Sequence, residues 1–245
     1  MSSTKLPKKV LLAVTGVEEE LGPMGKVGLF YCEATHPFEA FTKAGYEIDF
    51  VSESGTYHID SHSLEKPFFG EAEEKIYNDP EHKFNRKLKA IKKASEVNAE
   101  DYGVFFAAGG HGALFDFYDA PNLQKIISSI YNRGGVIAAV CHGPCILFGA
   151  RDEQGASIVK GKNVTGFTQD GEKQMGVWEA MADKGLPSIE KKAILTGANY
   201  IPPPSDWEDF VQVDGRIVTG VNPSSATSTA QSAVKVFDGL QQLNM

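Results

Sequence analysis

Apolar residues recur along the first half of the chain in short blocks that glycines and polar turns separate. Blocks that are almost wholly apolar predict strands buried on both faces of a sheet at Lys9–Thr15, Tyr102–Ala108 and Val136–Val140. A further segment, Tyr46–Val51, alternates between polar and apolar residues and also predicts a strand. Segments with an apolar face predict helices over residues 36–44, with Pro37 in the first turn, and over residues 122–132.

The second half of the chain continues this alternation of elements. We expect a strand at residues 163–167 and a helix at residues 171–184. Residues 210–219 predict a hairpin that turns at Asp214-Gly215, a dipeptide favoured in tight turns. Asn222-Pro223 then predicts the start of a C-terminal helix, since asparagine caps helices and proline suits their first turn.

Strands that alternate with helices predict an α/β fold with a doubly wound, mostly parallel sheet and helices on both faces. The expected architecture is a flavodoxin-like three-layer sandwich in a single domain over residues 1–245. Two insertions, at about 53–100 and 173–209, are longer than the connections of a minimal sheet, and insertions of this length often act as lids or partner surfaces. The basic run at residues 87–93 within the first insertion predicts a solvated helix face.

Composition and charge narrow the classes of partner and cofactor. The 245 residues carry a formal net charge of −8, which argues against nucleic acid as a partner because nucleic-acid binding needs a basic face. No apolar run is long enough to cross a membrane, so no membrane partner is expected. Cys32, Cys141 and Cys145 show no disulfide or metal spacing, and His58 and His62 lie in a polar loop without a third ligand. We therefore expect a reducing compartment, the cytoplasm with the nucleus also compatible, and neither a metal nor another cofactor.

Cys141 is the first candidate for chemistry, because it lies between the strand Val136–Val140 and the turn His142–Pro144. This layout is that of a nucleophile elbow, a sharp strand-to-helix turn that exposes a nucleophile at the edge of a sheet. A free cysteine is often only a small buried hydrophobe, but the elbow favours a nucleophile. Free N–H groups at the start of the next helix are expected to favour the thiolate. Cys145, one helical turn further on, is expected to serve packing.

The glycine-rich segment Gly109–Gly112 follows another buried strand. Glycines there would let backbone N–H groups point at a substrate oxygen, as in an oxyanion hole. In a doubly wound sheet, ligands bind at the carboxyl ends of the strands. We therefore expect this segment and Cys141 to lie at the same edge.

Three further residues have two open interpretations each. Glu33 follows the apolar residues 29–32 and is either exposed or buried at the site, where burial would raise its pKa toward the range useful for proton transfer. His142 adjoins Cys141, and although neighbours in regular structure rarely face each other, an elbow allows a contact. Glu172 is interpreted as a surface carboxylate that could instead orient His142.

Four segments resemble the motifs of one known superfamily: Glu33–Phe38, Ala107–Gly112, Ala139–Pro144 and Thr219–Ala226. This superfamily includes the Parkinson-associated deglycase and the class I glutamine amidotransferase-like proteins. The similarity is closest to its fungal, heat-shock-inducible branch of glutathione-independent glyoxalase III enzymes with chaperone-like activity. It extends from Lys9 to the C-terminal helix.

The resemblance implies a role for each candidate residue. Cys141 would be the nucleophile, His142 and Glu172 would complete a triad with it, and Glu33 would be the acid and base beside the thiol. The amides of Gly110 and His111 would form the oxyanion site. The implied reaction converts methylglyoxal and water to D-lactate, which would make the protein a lyase of the D-lactate dehydratase type.

Other functions and partners are also compatible with these residues. The same site could hydrolyse amides as a deglycase or peptidase, and the aromatic insertions could bind unfolded client proteins as a stress-induced holdase chaperone. The resemblance is compatible with a homodimer and with a 2-oxoaldehyde as the small-molecule substrate. The segment Pro202–Trp207 departs from the pattern of close relatives, which leaves the shape of the lid and the substrate preference open.

Overall fold

A seven-stranded sheet forms the centre of the molecule. Across residues 5–243, which the computed structural model describes, the strands are β1 (Lys9–Ala13), β2 (Glu19–Glu20), β3 (Lys26–Val27), β4 (Glu47–Ser52), β5 (Lys92–Lys93), β6 (Val104–Ala107), β7 (Val136–Val140), β8 (Asn163–Val164), β9 (Asn199–Tyr200), β10 (Val211–Asp214) and β11 (Ile217–Gly220). The central sheet has the order β10-β11-β7-β6-β1-β4-β5. Its neighbouring strands are parallel, except that β10 pairs antiparallel with β11.

Helices cover both faces of this sheet. In the same described range they are α1 (Tyr31–Lys43), α2 (Glu71–Asn78), α3 (Lys83–Lys89), α4 (Ala113–Asp116), α5 (Pro121–Asn132), α6 (Gln169–Gln174), α7 (Trp178–Asp183), α8 (Ile189–Leu195) and α9 (Ala226–Leu243). Side chains of α1, α3 and α9 form one core with the sheet, and those of α4, α5, α7 and α8 form the other. The predicted doubly wound, three-layer α/β architecture is confirmed.

The strand β7 shows why the apolar blocks predicted the sheet correctly. All of its residues are buried, because the two cores meet on either side of it. Ile137 and Ala139 belong to the core beside α5, whereas Val136, Ala138 and Val140 belong to the core beside α1 and α9. An apolar residue is therefore required at every position of the strand rather than at every second one.

The predicted start of the first helix was wrong. α1 begins at Tyr31, and Pro37 lies inside it rather than in its first turn. A proline in a helix interior costs about 3 kcal/mol, because it has no N–H to donate to the carbonyl one turn earlier, here that of Glu33. The helix persists because it buries Tyr31 and Phe38 almost completely, and each large apolar side chain so buried contributes about 1.5–3 kcal/mol.

Two elements of the second half also differ from the prediction. The strand expected at residues 163–167 is reduced to β8, which pairs with β9 in a separate small sheet. The helix expected at residues 171–184 is divided into α6 and α7. Gly176, between them, has a φ of 71°, and this left-handed conformation ends a helix.

The predicted hairpin and the predicted start of the C-terminal helix are present. β10 and β11 pair from Asp214 to Ile217, so the loop residues are Gly215 and Arg216, one position later than expected. Asn222 accepts a hydrogen bond from the N–H of Ser225 and caps the turn that leads into α9. No helix within residues 5–243 combines the length and apolar character needed to cross a membrane.

The two insertions contribute to the body of the fold. Residues 53–100 supply β5, α2 and α3, and Phe84 of α3 is fully buried in the core beside α1. The basic run of this insertion is not one solvated helix face, because α3 ends at Lys89 and both Lys87 and Lys92 bind Asp49. The lid role of both insertions stays a prediction.

Candidate active site

The sheet places two loops side by side at the carboxyl ends of β6 and β7. These strands are in register, with Ala107 opposite Ala139, so the segment after β6 and Cys141 leave the sheet at the same level. The N–H of Cys141 donates to the carbonyl of Gly220 at 3.0 Å, and the carbonyl of Cys141 accepts from the N–H of Phe167 at 2.9 Å. The end of β11 and the segment that precedes α6 therefore hold the backbone of Cys141.

Cys141 has the backbone conformation of a nucleophile elbow. Its φ is 58°, and among the residues that the structure describes it is the one non-glycine with a positive φ. Such a conformation is strained for a residue with a Cβ and is found most often at functional sites. The elbow expected from the sequence is present, although the turn that follows is a 3-10 helix, Gly143–Gly149.

His142 contacts both the thiol and a buried carboxylate. Its Nδ1 lies 3.3 Å from the Sγ of Cys141, and its Nε2 lies 2.7 Å from the Oε1 of Glu172. Because the carboxylate can only accept, Nε2 carries the proton and Nδ1 of the neutral ring presents a lone pair to the thiol. The elbow has brought two adjacent residues face to face.

Glu172 is not the surface carboxylate that its sequence context suggested. Its side chain is only 2% exposed. Thr168 caps α6 by accepting the N–H of Gly171, which places Glu172 in the first turn, directed inward. The interpretation from the residues alone was wrong because short helices give too little periodicity to reveal which face is buried.

The side chain of His111 is a member of the site that the sequence did not reveal. Its Nε2 lies 2.8 Å from the Oε2 of Glu172, and its ring centroid lies 4.2 Å from that of His142. Only the backbone amide of this residue was expected to act. His111 and Glu172 are 61 positions apart in the chain, and no local pattern connects them.

Glu33 lies opposite the sulfur on the first turn of α1 and is completely buried. The Cys141 thiol and the N–H of Gly109 are close enough to lower its pKa, yet neither carboxyl oxygen has a well-formed hydrogen bond to any residue that the structure describes. A Cβ at Gly109 would lie 2.5 Å from the Oε2 of Glu33. Glycine is thus required there so that the loop can approach the carboxyl group.

The oxyanion segment also contacts the sulfur. Gly110 has a φ of 101°, a conformation that favours glycine. Its N–H points toward the sulfur of Cys141 and lowers the pKa of the thiol. The amide that the resemblance assigned to the oxyanion site therefore lies next to the atom at which a tetrahedral adduct would form.

The two carboxyl groups of the site have opposite pKa directions. Burial raises the pKa of Glu33 to about 8, against the smaller opposing effect of the nearby thiol. Burial alone would also raise the pKa of Glu172, but the two histidines outweigh it and hold that pKa at about 2. At neutral pH, Glu33 is therefore mostly protonated and Glu172 is ionised.

The expectation of a resting thiolate was wrong. Cys141 is 3% exposed, and burial raises the pKa of its thiol, followed by the effect of a charge on Glu33. The Gly110 amide acts in the expected direction but is outweighed. Burial also lowers the pKa of His142, and His111 adds to this effect. The resting site consequently holds a neutral thiol beside a neutral imidazole, a base that can take the thiol proton.

The remaining candidates have structural positions. Cys145 is fully buried in the core beside α5, as expected for a packing residue, and Cys32 is buried in α1. Among the described residues, the donor atoms of His111, His142 and Glu172 lie within 4.8 Å of one another. A cation could bind to these atoms only if the two hydrogen bonds between the histidines and Glu172 broke. Those two hydrogen bonds are sufficient to explain why the three side chains lie together.

Comparison with known proteins identifies relatives that cover almost the whole chain. The chain is 47% identical over 237 residues to the glutathione-independent glyoxalase HSP31 of Saccharomyces cerevisiae, with 96% of this chain and 99% of the relative covered. It is 45% identical over 232 residues to glyoxalase 3 of Candida albicans, with 94% of this chain and 98% of the relative covered. These names support the resemblance to the fungal branch.

A solved structure has the same fold. The crystal structure of glyoxalase III from Candida albicans superposes with a TM-score of 0.91 at 45% identity, and the match covers 94% of this chain and 97% of that one. Residues 28–236 match the DJ-1/PfpI family, a span that includes all of the candidate site residues. The chain therefore belongs to the DJ-1/PfpI family.

Proposed function

We propose that this protein is a glutathione-independent glyoxalase that converts methylglyoxal and water to D-lactate. The observation that carries the proposal is the arrangement around one sulfur atom, with the base His142 on one side and the buried, protonated Glu33 on the other. The names of the fungal relatives agree with this chemistry. Because Cys141 supplies the thiol, glutathione would not be needed to form the thiol adduct.

The first step joins the sulfur to the aldehyde carbon. Nδ1 of His142 takes the thiol proton, and the negative charge of Glu172 stabilises the imidazolium that forms. The thiolate adds to the aldehyde carbon, and the aldehyde oxygen takes the proton of Glu33 with help from the Gly110 amide. The product is a neutral hemithioacetal beside an ionised Glu33.

The second step moves hydrogen between the two former carbonyl carbons. The carboxylate of Glu33 removes the proton from the carbon bound to sulfur, while the ketone oxygen takes the proton held by His142. The resulting enediol receives a proton from Glu33 at the second carbon, and Glu33 then takes the hydroxyl proton from the first. One carbon is oxidised to a thioester and its neighbour is reduced to an alcohol, so no external electron acceptor is used.

The last step releases the product. His142 takes a proton from water, and the hydroxide adds to the thioester carbon. The carbon–sulfur bond breaks, and the departing sulfur regains its proton from His142. Glu33, His142 and Cys141 thus return to their starting states, and lactic acid leaves and ionises.

The burial of the site favours a small substrate over a polypeptide. Cys141 is 3% exposed and Glu33 is completely buried, so a peptide strand could not reach the sulfur without a large rearrangement. Methylglyoxal has only five non-hydrogen atoms and can enter a narrow site. We therefore favour the glyoxalase over the deglycase or peptidase that the same residues could form.

A chiral lactate assay tests the proposal. Purified protein and methylglyoxal, without any added thiol, should yield D-lactate, and the Cys141→Ala variant should yield none. Absence of lactate from the folded wild-type protein would refute the proposal, as would cysteine-dependent cleavage of peptides in its place. Protection of an aggregating client protein, measured in parallel, would point to a holdase if both forms protect equally and neither makes lactate.

A further inference from the structure

Both oxygens of one buried carboxylate are shared between two histidines. Glu172 accepts from His142 at Oε1 and from His111 at Oε2, at 2.7 and 2.8 Å. Both rings are buried, and the two bonds have nearly equal lengths. A catalytic triad needs only the first of these bonds.

The hydrogen bond from His111 to Glu172 weakens the support that Glu172 gives to a protonated His142. A carboxylate that accepts two strong hydrogen bonds spreads its charge over both, so it stabilises a proton on either partner less than it would alone. The ring centroids are 4.2 Å apart, and two positive charges at that separation would repel each other strongly in a buried site. Only one of the two rings can therefore readily carry an extra proton.

The groups that face these two rings are few. His142 faces the Cys141 thiol, the Glu172 carboxylate, the His111 ring and, by stacking, Phe167. His111 faces Glu172, His142 and the edge of Phe167, and it is close enough to Asp60 that a positive charge on its ring would lower the pKa of that carboxyl group. No cationic side chain appears among these neighbours.

We propose that the side chain of His111 is a positioning residue that limits the proton affinity of His142 by sharing its carboxylate. His142 must take a proton from the thiol and give it back within one turnover. A base that held the proton too tightly would trap the imidazolium and slow its return. This inference deepens the proposed function, but its main test does not depend on lactate formation.

Two variants of His111 distinguish a role as hydrogen-bond donor to Glu172 from a role in packing alone. His111→Phe keeps a ring but removes the donor to Glu172, whereas His111→Gln keeps an N–H donor without a second imidazole. His36→Gln is the matched control, because His36 forms a 2.7 Å pair with Glu73 that does not contact the thiol. The readout is the rate at which iodoacetamide alkylates Cys141 as a function of pH, resolved by mass spectrometry.

We expect the alkylation rate of Cys141 to change in His111→Phe near neutral pH and not at high pH. In His111→Phe, a more basic His142 should take the thiol proton more readily, so alkylation near pH 7 should rise by about tenfold, one pKa unit, with an unchanged plateau at high pH. His111→Gln and His36→Gln should follow the wild-type profile. In the lactate assay, kcat should fall in His111→Phe while KM changes little.

Other outcomes would overturn the proposal. A rise in alkylation at every pH would show that the variant merely opens the site, and an unchanged profile would show that His111 only fills space. Histidine-ring NMR of the wild-type protein is a test without variants. Both rings should carry a proton on the Nε2 that faces Glu172, His142 should be uncharged at pH 7, and an imidazolium at His142 would refute the inference.

Discussion

Glu33 lies beside the Cys141 sulfur, whereas Glu172 reaches that sulfur only through His142, and the groups that surround the two carboxyl groups differ. Both are almost fully buried, so both pay a similar desolvation cost when they ionise. Glu172 faces two histidine N–H donors, whereas Glu33 faces a thiol and a backbone amide without a well-formed hydrogen bond. The electrostatic effect and the hydrogen bonds of the two histidines, not the depth of burial, therefore decide which of the two carries a charge.

The comparison shows how one fold provides both an acid and an anion at the same site. The first turn of α6 supplies the ionised carboxylate, which must stay charged to support His142. The start of α1 supplies the protonated carboxyl group, which must exchange its proton during the reaction. Pairs of titratable groups whose surroundings move their pKa values apart mark such a division of roles.

The largest effect is expected from Glu33→Gln. Glutamine keeps the shape of the side chain but cannot exchange a proton, so lactate formation should fall by up to about 10⁴-fold, the upper end for loss of a general acid and base. Alkylation of Cys141 by iodoacetamide should continue. Turnover close to that of the wild type would eliminate the proposed role of Glu33.

Removing the charge on the other side should have a smaller effect. Glu172→Gln leaves one histidine without an acceptor and removes the anion that stabilises the imidazolium, so kcat should fall by about 10²-fold, below the loss known for a comparable triad change. Asp170→Asn is the control, because Asp170 lies in the same helix and is exposed. Equal activities of the two variants would show that the triad carboxylate is dispensable.

The raised pKa of Glu33 should also affect how the free energy of unfolding depends on pH. Between pH 4.5 and about 8, the unfolded chain loses the Glu33 proton while the folded chain keeps it. This difference lowers the stability of the wild type, as pH rises, by about 1.4 kcal/mol per pH unit. Glu33→Gln lacks the effect, so its stability relative to the wild type should increase through this range and level off above pH 8.

Urea unfolding at a series of pH values measures this difference. Glu39→Gln serves as the control, since Glu39 is an exposed residue of the same helix. Its curve should run parallel to that of the wild type. If the Glu33→Gln curve also ran parallel, Glu33 would have an ordinary pKa in the folded protein.

The smallest effect is expected at Cys145. This residue is buried one helical turn after Cys141 but belongs to the core on the opposite face of the sheet. Cys145→Ala should cost about 1 kcal/mol of unfolding free energy, typical of a conservative core change, and leave kcat nearly unchanged. A large loss of kcat at constant stability would mean that the second thiol takes part in the reaction.

The sequence predicted the sheet well because its signal is local. Strands such as β7 must be apolar throughout, and the turn after β7 contains its own glycine and proline, so Cys141 could be placed at an elbow. The beginning of α1 was misplaced because a local rule about Pro37 conflicted with burial of Tyr31, which depends on contacts with distant segments.

The chemistry of the site was less predictable for the same reason. The roles of Glu172 and His142 came from the resemblance, while the residues alone left Glu172 at the surface. The bond between His111 and Glu172 joins the segment after β6 to the helix α6, and hydrogen-bond partners so far apart in the chain leave no periodic pattern in a sequence. The pKa of Cys141 was misjudged because the depth of burial depends on every element around the site.

The position of the Cys141 sulfur depends on the number of residues in β7, because side chains alternate between the two faces of a strand. β7 has five residues, and an extended sixth residue would point toward α5, with Ile137 and Ala139. The φ of 58° instead turns the thiol into the core that contains Val140 and α1. Inserting or deleting a single residue in β7 would reverse the face of every side chain after it and carry the sulfur away from Glu33, whereas the loops beyond the sheet can change length without that penalty.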